Sequence, residues 1–269
     1  MAVILDGKAV AARIRAKMKE RVAAMPETPH LAVLLVGEDP ASHTYVRLKE
    51  QACHEVAIPF ERYEYPSDVS TGELVDRVRQ LNARPEVVGI LVQLPLPAQD
   101  ADTVVAAIDP KKDVDGFHRA NVEALKAGKP ALAPAVALGV MKLIEETKQP
   151  LAGRKAVIVS GEVFAEPLIA LLAERGVTAT AEPDPRTTKN ADVLIVAVGR
   201  PNLITGDMVK PGAVVIDVGT TKIDGKIVGD VDRPSVEPVA AFLTPVPGGV
   251  GPMTVAMLLN NVVKAALSR

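Results

Sequence analysis

The chain is poor in the residue types that usually advertise a function. It has one cysteine, no tryptophan, four phenylalanines and three tyrosines in 269 residues. A single thiol, Cys53, excludes an intramolecular disulfide and any Cys-x-x-Cys metal site, and fits a reducing compartment. It reads as filler in an amphipathic helix. Charge of one sign is also missing: 31 basic and 33 acidic side chains give a net charge of -2. Nothing in that balance serves nucleic acid or an anionic membrane surface. The four histidines, His30, His43, His54 and His118, have no metal-ligand spacing, so no metal is expected. Gly-x-Ser-x-Gly, P-loop and EF-hand patterns are absent. The beginning Met-Ala-Val-Ile-Leu-Asp turns polar at once, and no apolar run approaches the roughly 20 residues of a membrane span. The expectation is a cytoplasmic protein with a small-molecule partner.

What is present is an alternation. The length suits two lobes, each able to bury a core. Asp6 can cap a helix with Val10, Ile14, Met18 and Val22 on one side, before a strand at Leu31 to Val36. A helix through Tyr45 and Lys49 comes next, then a strand from Phe60 to Tyr65. Ser70 and Glu73 form a capping box for a helix from Leu74 to Leu81, and a buried strand runs from Val87 to Gln93, stopped by Pro95 and Pro97. Lys111 to Gly116 interrupts, Ala135 to Glu146 predicts a helix, and Gln149-Pro150 looks like a boundary. A second unit alternates strands at Ala156 to Val159, Val177 to Ala181, Val193 to Val198 and Ala213 to Val218 with a helix from Val163 to Arg175 ended by Gly176. Asp224-Gly225 marks a hairpin, and a last apolar helix runs from Thr254 to Leu267. The predicted class is α/β with two lobes, the second a Rossmann-like parallel sheet and the last helix returning to the first.

Three polar groups stand out in the first lobe. Tyr45 and Lys49, four apart, share a helix face, although ordinary half-exposed helices carry such pairs too. A lysine needs a partner and a shifted pKa to act as a base near pH 7. Gln93 ends a very apolar strand at the edge where parallel sheets place their sites, and its amide must find hydrogen bonds there. Asp113 and Asp115 alternate, so in an extended segment both point one way and can bind a cation or amino groups on a heterocycle; an acidic turn near Gly116 is the rival.

In the second lobe, Val159-Ser-Gly-Glu-Val-Phe-Ala-Glu-Pro167 joins a strand to a helix, where a dinucleotide pyrophosphate rests on backbone amides. The loop has one glycine instead of three. Glu162 and Glu166 favour the helix dipole yet repel phosphates, by about 3 kcal/mol each at roughly 5 Å and a dielectric near 20, before screening.

Seven blocks in order resemble the bifunctional methylenetetrahydrofolate dehydrogenase and methenyltetrahydrofolate cyclohydrolase family. They are Asp39-Pro-Ala-Ser-x-x-Tyr-Val-x-x-Lys49, Gly89-Ile-Leu-Val-Gln-Leu-Pro-Leu-Pro97, Lys112-Asp-Val-Asp-Gly-Phe117, Gly199-Arg-Pro201, Pro211-Gly-Ala-Val-Val-Ile-Asp-Val-Gly219, Gly229-Asp-Val231 and Thr244-Pro-Val-Pro-Gly-Gly-Val-Gly-Pro-Met-Thr254. The resemblance implies a folate-binding catalytic domain at 1–133, completed by 252–269, a Rossmann-like domain at 134–251, and a folate cleft between them. It implies that Lys49 serves proton transfer, Gln93 orients it, Asp115 holds the pterin, Tyr45 packs on the folate, and Pro247 and Gly248 line the pocket. It places the dinucleotide at Val159, Ser160, Gly161, Pro185 and Thr220, with NADP as the expected cofactor and NAD or none as alternatives. It further implies a homodimer and a place in one-carbon metabolism that feeds purine biosynthesis.

The departures from the family pattern cluster around the dinucleotide. Pro-Cys-Thr-Pro-x-Gly is here Pro134-Ala-Val-Ala-Leu-Gly139, Gly-Arg-Ser is Val159-Ser160-Gly161, Val-Gly-Lys-Pro is Phe164-Ala165-Glu166-Pro167, and Cys-His-Ser is Pro183-Asp184-Pro185. Ser160 or Arg186 can compensate. Alternatives are therefore a cyclohydrolase with a degenerate dinucleotide site and a non-catalytic folate-binding protein. A short-chain dehydrogenase also uses Tyr-x-x-x-Lys, but there the pair comes after the nucleotide loop, whereas here it precedes it.

Overall fold

The structure, a computed structural model, describes every residue except Pro130, Pro183 and Arg269, and describes Pro185 and Arg186 by their backbone alone. Strand β1 (Val3–Ile4) leads into α1 (Gly7–Ala23), with the Asp6 carboxylate accepting from the Ala9 amide at 3.0 Å. Then β2 (His30–Val36), α2 (Pro40–Glu55), β3 (Phe60–Tyr65), α3 (Thr71–Asn82) and β4 (Val87–Val92) alternate. Helices α4 (Ala101–Ala106), α5 (Arg119–Lys126) and α6 (Ala135–Glu146) come next. Alternation resumes with β5 (Lys155–Ser160), α7 (Glu162–Ala173), β6 (Thr178–Ala181), β7 (Val193–Ala197) and β8 (Val214–Asp217). The chain closes with the hairpin β9 (Thr221–Ile223) and β10 (Lys226–Val228), then α8 (Arg233–Val236), β11 (Phe242–Leu243) and α9 (Val250–Leu267).

These elements form two compact units. One comprises Ala12–Ala124, Lys129–Ala135 and Val255–Arg269, and the other Met1–Ala11, Leu125–Gly128 and Val136–Thr254. The change of unit falls at the start of α6, so Gln149-Pro150 is a connection inside the second of these.

The three-stranded unit has the parallel order β3-β2-β4. Central β2 is buried from Leu31 to Val36, as a strand covered on both faces must be. Leu34, Leu74, Val78, Ile90 and Val104 share its core, each side chain contributing about 1.5–3 kcal/mol by burial. The capping box is present: Ser70 Oγ accepts from the Glu73 amide while Glu73 reaches back to the Ser70 amide. Edge strand β3 carries a charge network. Glu61 accepts from both terminal nitrogens of Arg84 at 2.7 and 2.9 Å and from the Tyr63 hydroxyl, and pairs with His30. The Arg84 bonds hold its carboxyl down at about 2.

Gly89 lets the segment that carries Asp115 dock on β4. A Cβ there would meet Val114 Cγ1 at 2.9 Å, so only glycine allows the chain around Val114 to lie this close. Ile90 bridges Asp113 in parallel, and the Ile90 amide donates to the Lys112 carbonyl at 2.8 Å.

The six-stranded unit has the parallel order β1-β11-β8-β7-β5-β6. Counted from β5, its strands run 2-1-3-4-5, a doubly wound order whose switch point lies between β5 and β7. Val159, Leu194, Val196 and Val215 are part of its core. The predicted strands are all found, with ends shifted by a residue or two. Strands β1 and β11 have two residues each, too few to leave an alternation in the sequence.

Helix α9 begins four residues before Thr254. With 18 residues it is long and apolar enough to cross a membrane by length and composition, contrary to the expectation that no run approaches that size, but most of it is buried in protein.

Candidate active site

Asp39 sets the register of α2. Its carboxylate accepts from the Ser42 amide at 2.8 Å as the N-cap, and Pro40 occupies the first turn. Val46 and Cys53 then face the core, where burial pushes the Cys53 thiol up to about 12, in keeping with its reading as filler. Lys49 falls on a half-buried face, and Tyr45, one turn earlier, is exposed.

Lys49 meets the residue just beyond β4. Its Nζ donates to Gln93 Oε1 at 2.7 Å. Gln93 is fixed at both ends of its amide, because Nε2 donates to the Leu94 carbonyl at 2.7 Å, while its backbone amide donates to Leu34 O. Burial depresses the Lys49 pKa, and the nearby Asp115 carboxylate pulls it partly back. Burial raises the Asp115 carboxyl, Lys49 lowers it and Asp113 raises it further. An ammonium and a carboxylate are thus brought together where neither is comfortable in its charged form, the condition in which a proton moves readily.

The two aspartates do not act alike. Asp113 closes a turn: its Oδ1 accepts from the Gly116 amide, and its Oδ2 from the His118 amide and Asn121 Nδ2. The shared-direction reading is corrected: Asp113 is engaged by its own loop, and Asp115 alone neighbours Lys49. His118 is likewise turned to its loop, Nδ1 accepting from the Ala120 amide. Sequence reasoning missed Asn261 of α9, whose Nδ2 donates to the carbonyls of Val114 and Ala133, each at 2.9 Å. A pair of amides, Asn260 and Asn261, in a largely apolar helix was the available signal.

Pro247 and Gly248 lie in the six-stranded unit, on the turn before α9. The Val246–Pro247 bond is cis, and Gly248 has φ of 110°. The Lys8 amide donates to Gly248 O at 3.1 Å, and a Cβ on Gly7 would stand 1.8 Å from Gly249 O, so the start of α1 is pressed against this turn.

The turn from β5 to α7 sits at the switch point. Gly161 is the N-cap and supplies no side-chain acceptor, and a Cβ on it would meet nothing within 4 Å. The first turn of α7 therefore begins without a side-chain cap, and an uncapped helix start suits a phosphate cradle. The flanking side chains are carboxylates: Glu162 in the first turn, and Glu166, which pairs with Lys126 at 3.3 Å. Ser160 Oγ donates to the Gly161 carbonyl at 3.1 Å. Val159 is buried in the core. Pro185 opens a short 3-10 turn, Pro185–Asn190, but the side chains of Pro185 and Arg186 lie outside the described residues. Thr220 directly succeeds Gly219, whose amide is held by Asp217 Oδ1 at 3.0 Å.

That aspartate is structural. Both of its oxygens accept backbone amides, from Gly219, Asp230 and Val231, and burial raises its pKa to about 6. Asp230 Oδ2 in turn accepts from the amides of Val198 and Gly199. No group of three or more His, Cys, Asp or Glu side chains suited to a metal occurs among the described residues.

Comparison with known proteins places this geometry in a family. Residues 5–115 match the catalytic domain of tetrahydrofolate dehydrogenase/cyclohydrolase, and residues 134–269 match its NAD(P)-binding domain. The chain is 49% identical to a bifunctional protein FolD of Bordetella avium, over 98% of this chain and 96% of that protein. The FolD methylenetetrahydrofolate dehydrogenase/cyclohydrolase of Campylobacter jejuni superposes with a TM-score of 0.96 at 42% identity, covering 100% of both chains. The Trypanosoma brucei enzyme, solved with NADP cofactor and inhibitor, superposes with a TM-score of 0.94 at 34% identity, covering 99% and 98%. With both domain models matched in order and relatives similar along their whole length, the chain belongs to the tetrahydrofolate dehydrogenase/cyclohydrolase family.

Proposed function

We infer that the protein interconverts one-carbon derivatives of tetrahydrofolate. It oxidises 5,10-methylenetetrahydrofolate to 5,10-methenyltetrahydrofolate with NADP, and hydrolyses the methenyl form to 10-formyltetrahydrofolate. The observation that carries this reading is the Lys49–Gln93 bond beside Asp115.

In hydrolysis, water adds to the methenyl carbon and loses a proton, and one carbon–nitrogen bond of the bridge opens as its nitrogen gains one. Lys49, with its pKa depressed, takes and returns that proton. Gln93 accepts one of its hydrogens and so fixes where the nitrogen points. Asp115 holds the amino and ring N–H groups of the pterin, Tyr45 packs on its face, and Pro247 with Gly248 lines the folate pocket. For oxidation, NADP supplies a hydride acceptor at its nicotinamide. The residues fit such a dinucleotide through backbone: Ser160, Gly161 and the uncapped start of α7 would hold it, with Val159 shaping the turn and Pro185 and Thr220 flanking it.

Glu162 and Glu166 favour a second reading in which hydrolysis outlasts a weakened oxidation. We further propose a cytoplasmic homodimer that supplies one-carbon units for purine biosynthesis. The test is methenyltetrahydrofolate hydrolysis above the spontaneous rate, abolished in Lys49→Ala while tetrahydrofolate still binds. Titration with NADP and NAD, followed by methylenetetrahydrofolate oxidation with each, separates the two readings.

A further inference from the structure

Asn261 is a fully buried amide of α9 that the proposed chemistry does not use, and it lies in the same unit as Lys49, Gln93 and Asp115. Its Nδ2 donates to two carbonyls, Val114 O and Ala133 O, each at 2.9 Å. An amide nitrogen carries two hydrogens, so both are spent. The opposite orientation of the amide would turn Oδ1 towards two carbonyl oxygens, which fixes the assignment. Oδ1 itself has no hydrogen-bond partner among the described residues. A buried oxygen left unpaired weakens a fold, so the contribution of this side chain lies in the two hydrogens it donates.

Those hydrogens act on the backbone around Asp115. The Val114 carbonyl belongs to the peptide unit that enters Asp115. The unit that leaves it is held at both ends: the Asp115 carbonyl accepts from the Ala135 amide at 3.0 Å, and the Gly116 amide donates to Asp113 Oδ1 at 3.1 Å. A peptide unit is planar, so holding the two planes that flank a Cα fixes both backbone dihedrals and with them the direction of Cβ. Asn261 holds the first plane directly. It bears on the second through Ala133, because the stretch 133–135 carries the Ala135 amide. That stretch is pressed against Gly116, where φ is 85° and a Cβ would stand 2.5 Å from Ala133 O. One side chain thus clamps both segments of the turn from which Asp115 projects.

The carboxylate at the end of that projection meets Lys49 through charge. Such an attraction weakens with distance and does not choose a direction. Direction comes from the backbone, and so from what holds the backbone.

We propose that Asn261 is a positioning residue for Asp115: its two amide hydrogens set the peptide planes that place the Asp115 carboxylate beside Lys49 and against the pterin of a bound folate. The folate half rests on the proposed function, and the placement beside Lys49 stands on the ligand-free protein. The variants are Asn261→Ala, which removes both donors, and Asn261→Leu, which also keeps water out of the vacated space, each made alone and with Asp115→Asn. Val262→Ala, a buried neighbour on α9 that donates no side-chain hydrogen bond, is the control for lost packing, and thermal unfolding is followed throughout. The first readout is the titration of Lys49 in ligand-free, full-length protein carrying 13Cε-labelled lysine. Asp115 is the charged group that raises Lys49 against its burial, and Asp113 acts on Asp115 in turn. Lys49 should therefore titrate at a lower pH in Asn261→Ala than in the wild type, with no further change when Asp115→Asn is already present.

The second readout is function. Asn261→Ala should weaken tetrahydrofolate binding, measured calorimetrically, and slow methenyltetrahydrofolate hydrolysis, each roughly 3- to 30-fold. In the Asp115→Asn background the same change should add less than about twofold, because two residues acting through one carboxylate are not additive. Val262→Ala should lower the unfolding temperature and move neither readout. A Lys49 titration that ignores both Asn261 variants, fully multiplicative losses with Asp115→Asn, or an equal loss in Val262→Ala overturns the positioning role. A wild type that neither binds tetrahydrofolate nor hydrolyses its methenyl form sinks the proposed function instead, and the Lys49 titration still decides the placement of Asp115.

Discussion

The two turns that matter most, one in each unit, are built on opposite plans. At the end of β4, one side chain is gripped by another: Lys49 by Gln93, with the Asp115 carboxylate acting on Lys49. At the end of β5, the active surface is bare backbone, and the nearby side chains carry the sign that a phosphate avoids. Under the proposed function, the first plan commits the site to one proton-transfer geometry. The second offers generic anion recognition, whose strength is set by charges around it. Function in the three-stranded unit is therefore sensitive to single polar contacts, and function in the six-stranded unit to net local charge.

The largest expected effect concerns how each unit responds to pH. Asp217 in the six-stranded unit has a folded pKa of about 6, raised from 3.8. Its protonated form is the one the fold favours. The stabilisation is full below the ordinary carboxyl value and is lost as pH rises through about 6, a fall of about 3 kcal/mol. In Asp217→Asn, denaturant unfolding monitored between pH 4 and 6 should lose that slope, whatever constant penalty the new amide brings.

Next, Gln93→Leu removes a hydrogen bond to a charged group and should lower hydrolysis roughly 10- to 100-fold without moving NADP affinity. A shift in NADP binding would break the separation of the two plans. The double variant Glu162→Gln, Glu166→Gln should do the reverse. It tightens NADP roughly 3- to 30-fold, at about 0.3–1 kcal/mol per charge near a helix N-terminus, and leaves hydrolysis alone; equilibrium titration reads it.

The smallest effect is at Glu61, whose carboxyl is held down to about 2, first by its hydrogen bonds to Arg84, on an edge strand where solvent screens most of the gain. That stabilisation is present above about 4.5 and lost as pH falls towards 2, the opposite sense to Asp217. Hydrogen exchange in the three-stranded unit should lose its acid sensitivity over that window in Glu61→Gln.

Much of this was legible in the sequence where one interaction decides the outcome. The Ser70 box and the run Ala135 to Glu146 appear with the expected partners and bounds, because capping and helical periodicity are local. The Lys49–Gln93 contact was readable as well, since an amide ending a buried strand must find a partner. What failed depended on distant chain. Alternation gave Asp113 and Asp115 a common direction, but the Gly116 turn and Asn121 claim Asp113. Helix α5 went unread because its eight residues are only about two turns, too short for a clear period, and β1 exists only because β11 lies beside it. The Lys112 ammonium is buried on three carbonyls that lie about 30 positions earlier in the chain, and nothing local to Lys112 signals them.

Asn261 ties the carbonyl next to Asp115 to a residue 147 positions later in the chain. On the ribosome, the segment bearing Asp115 must therefore wait for almost the entire protein to emerge before its last anchor exists. By then the six-stranded unit, which ends at Thr254, has nearly all of its chain available. At 5–20 residues per second, that interval is on the order of 10–30 s. The nascent protein would acquire its NAD(P)-binding scaffold before the Asp115 segment is anchored, and a nascent chain lacking its final helix would carry every proposed catalytic side chain without the anchor beside Asp115.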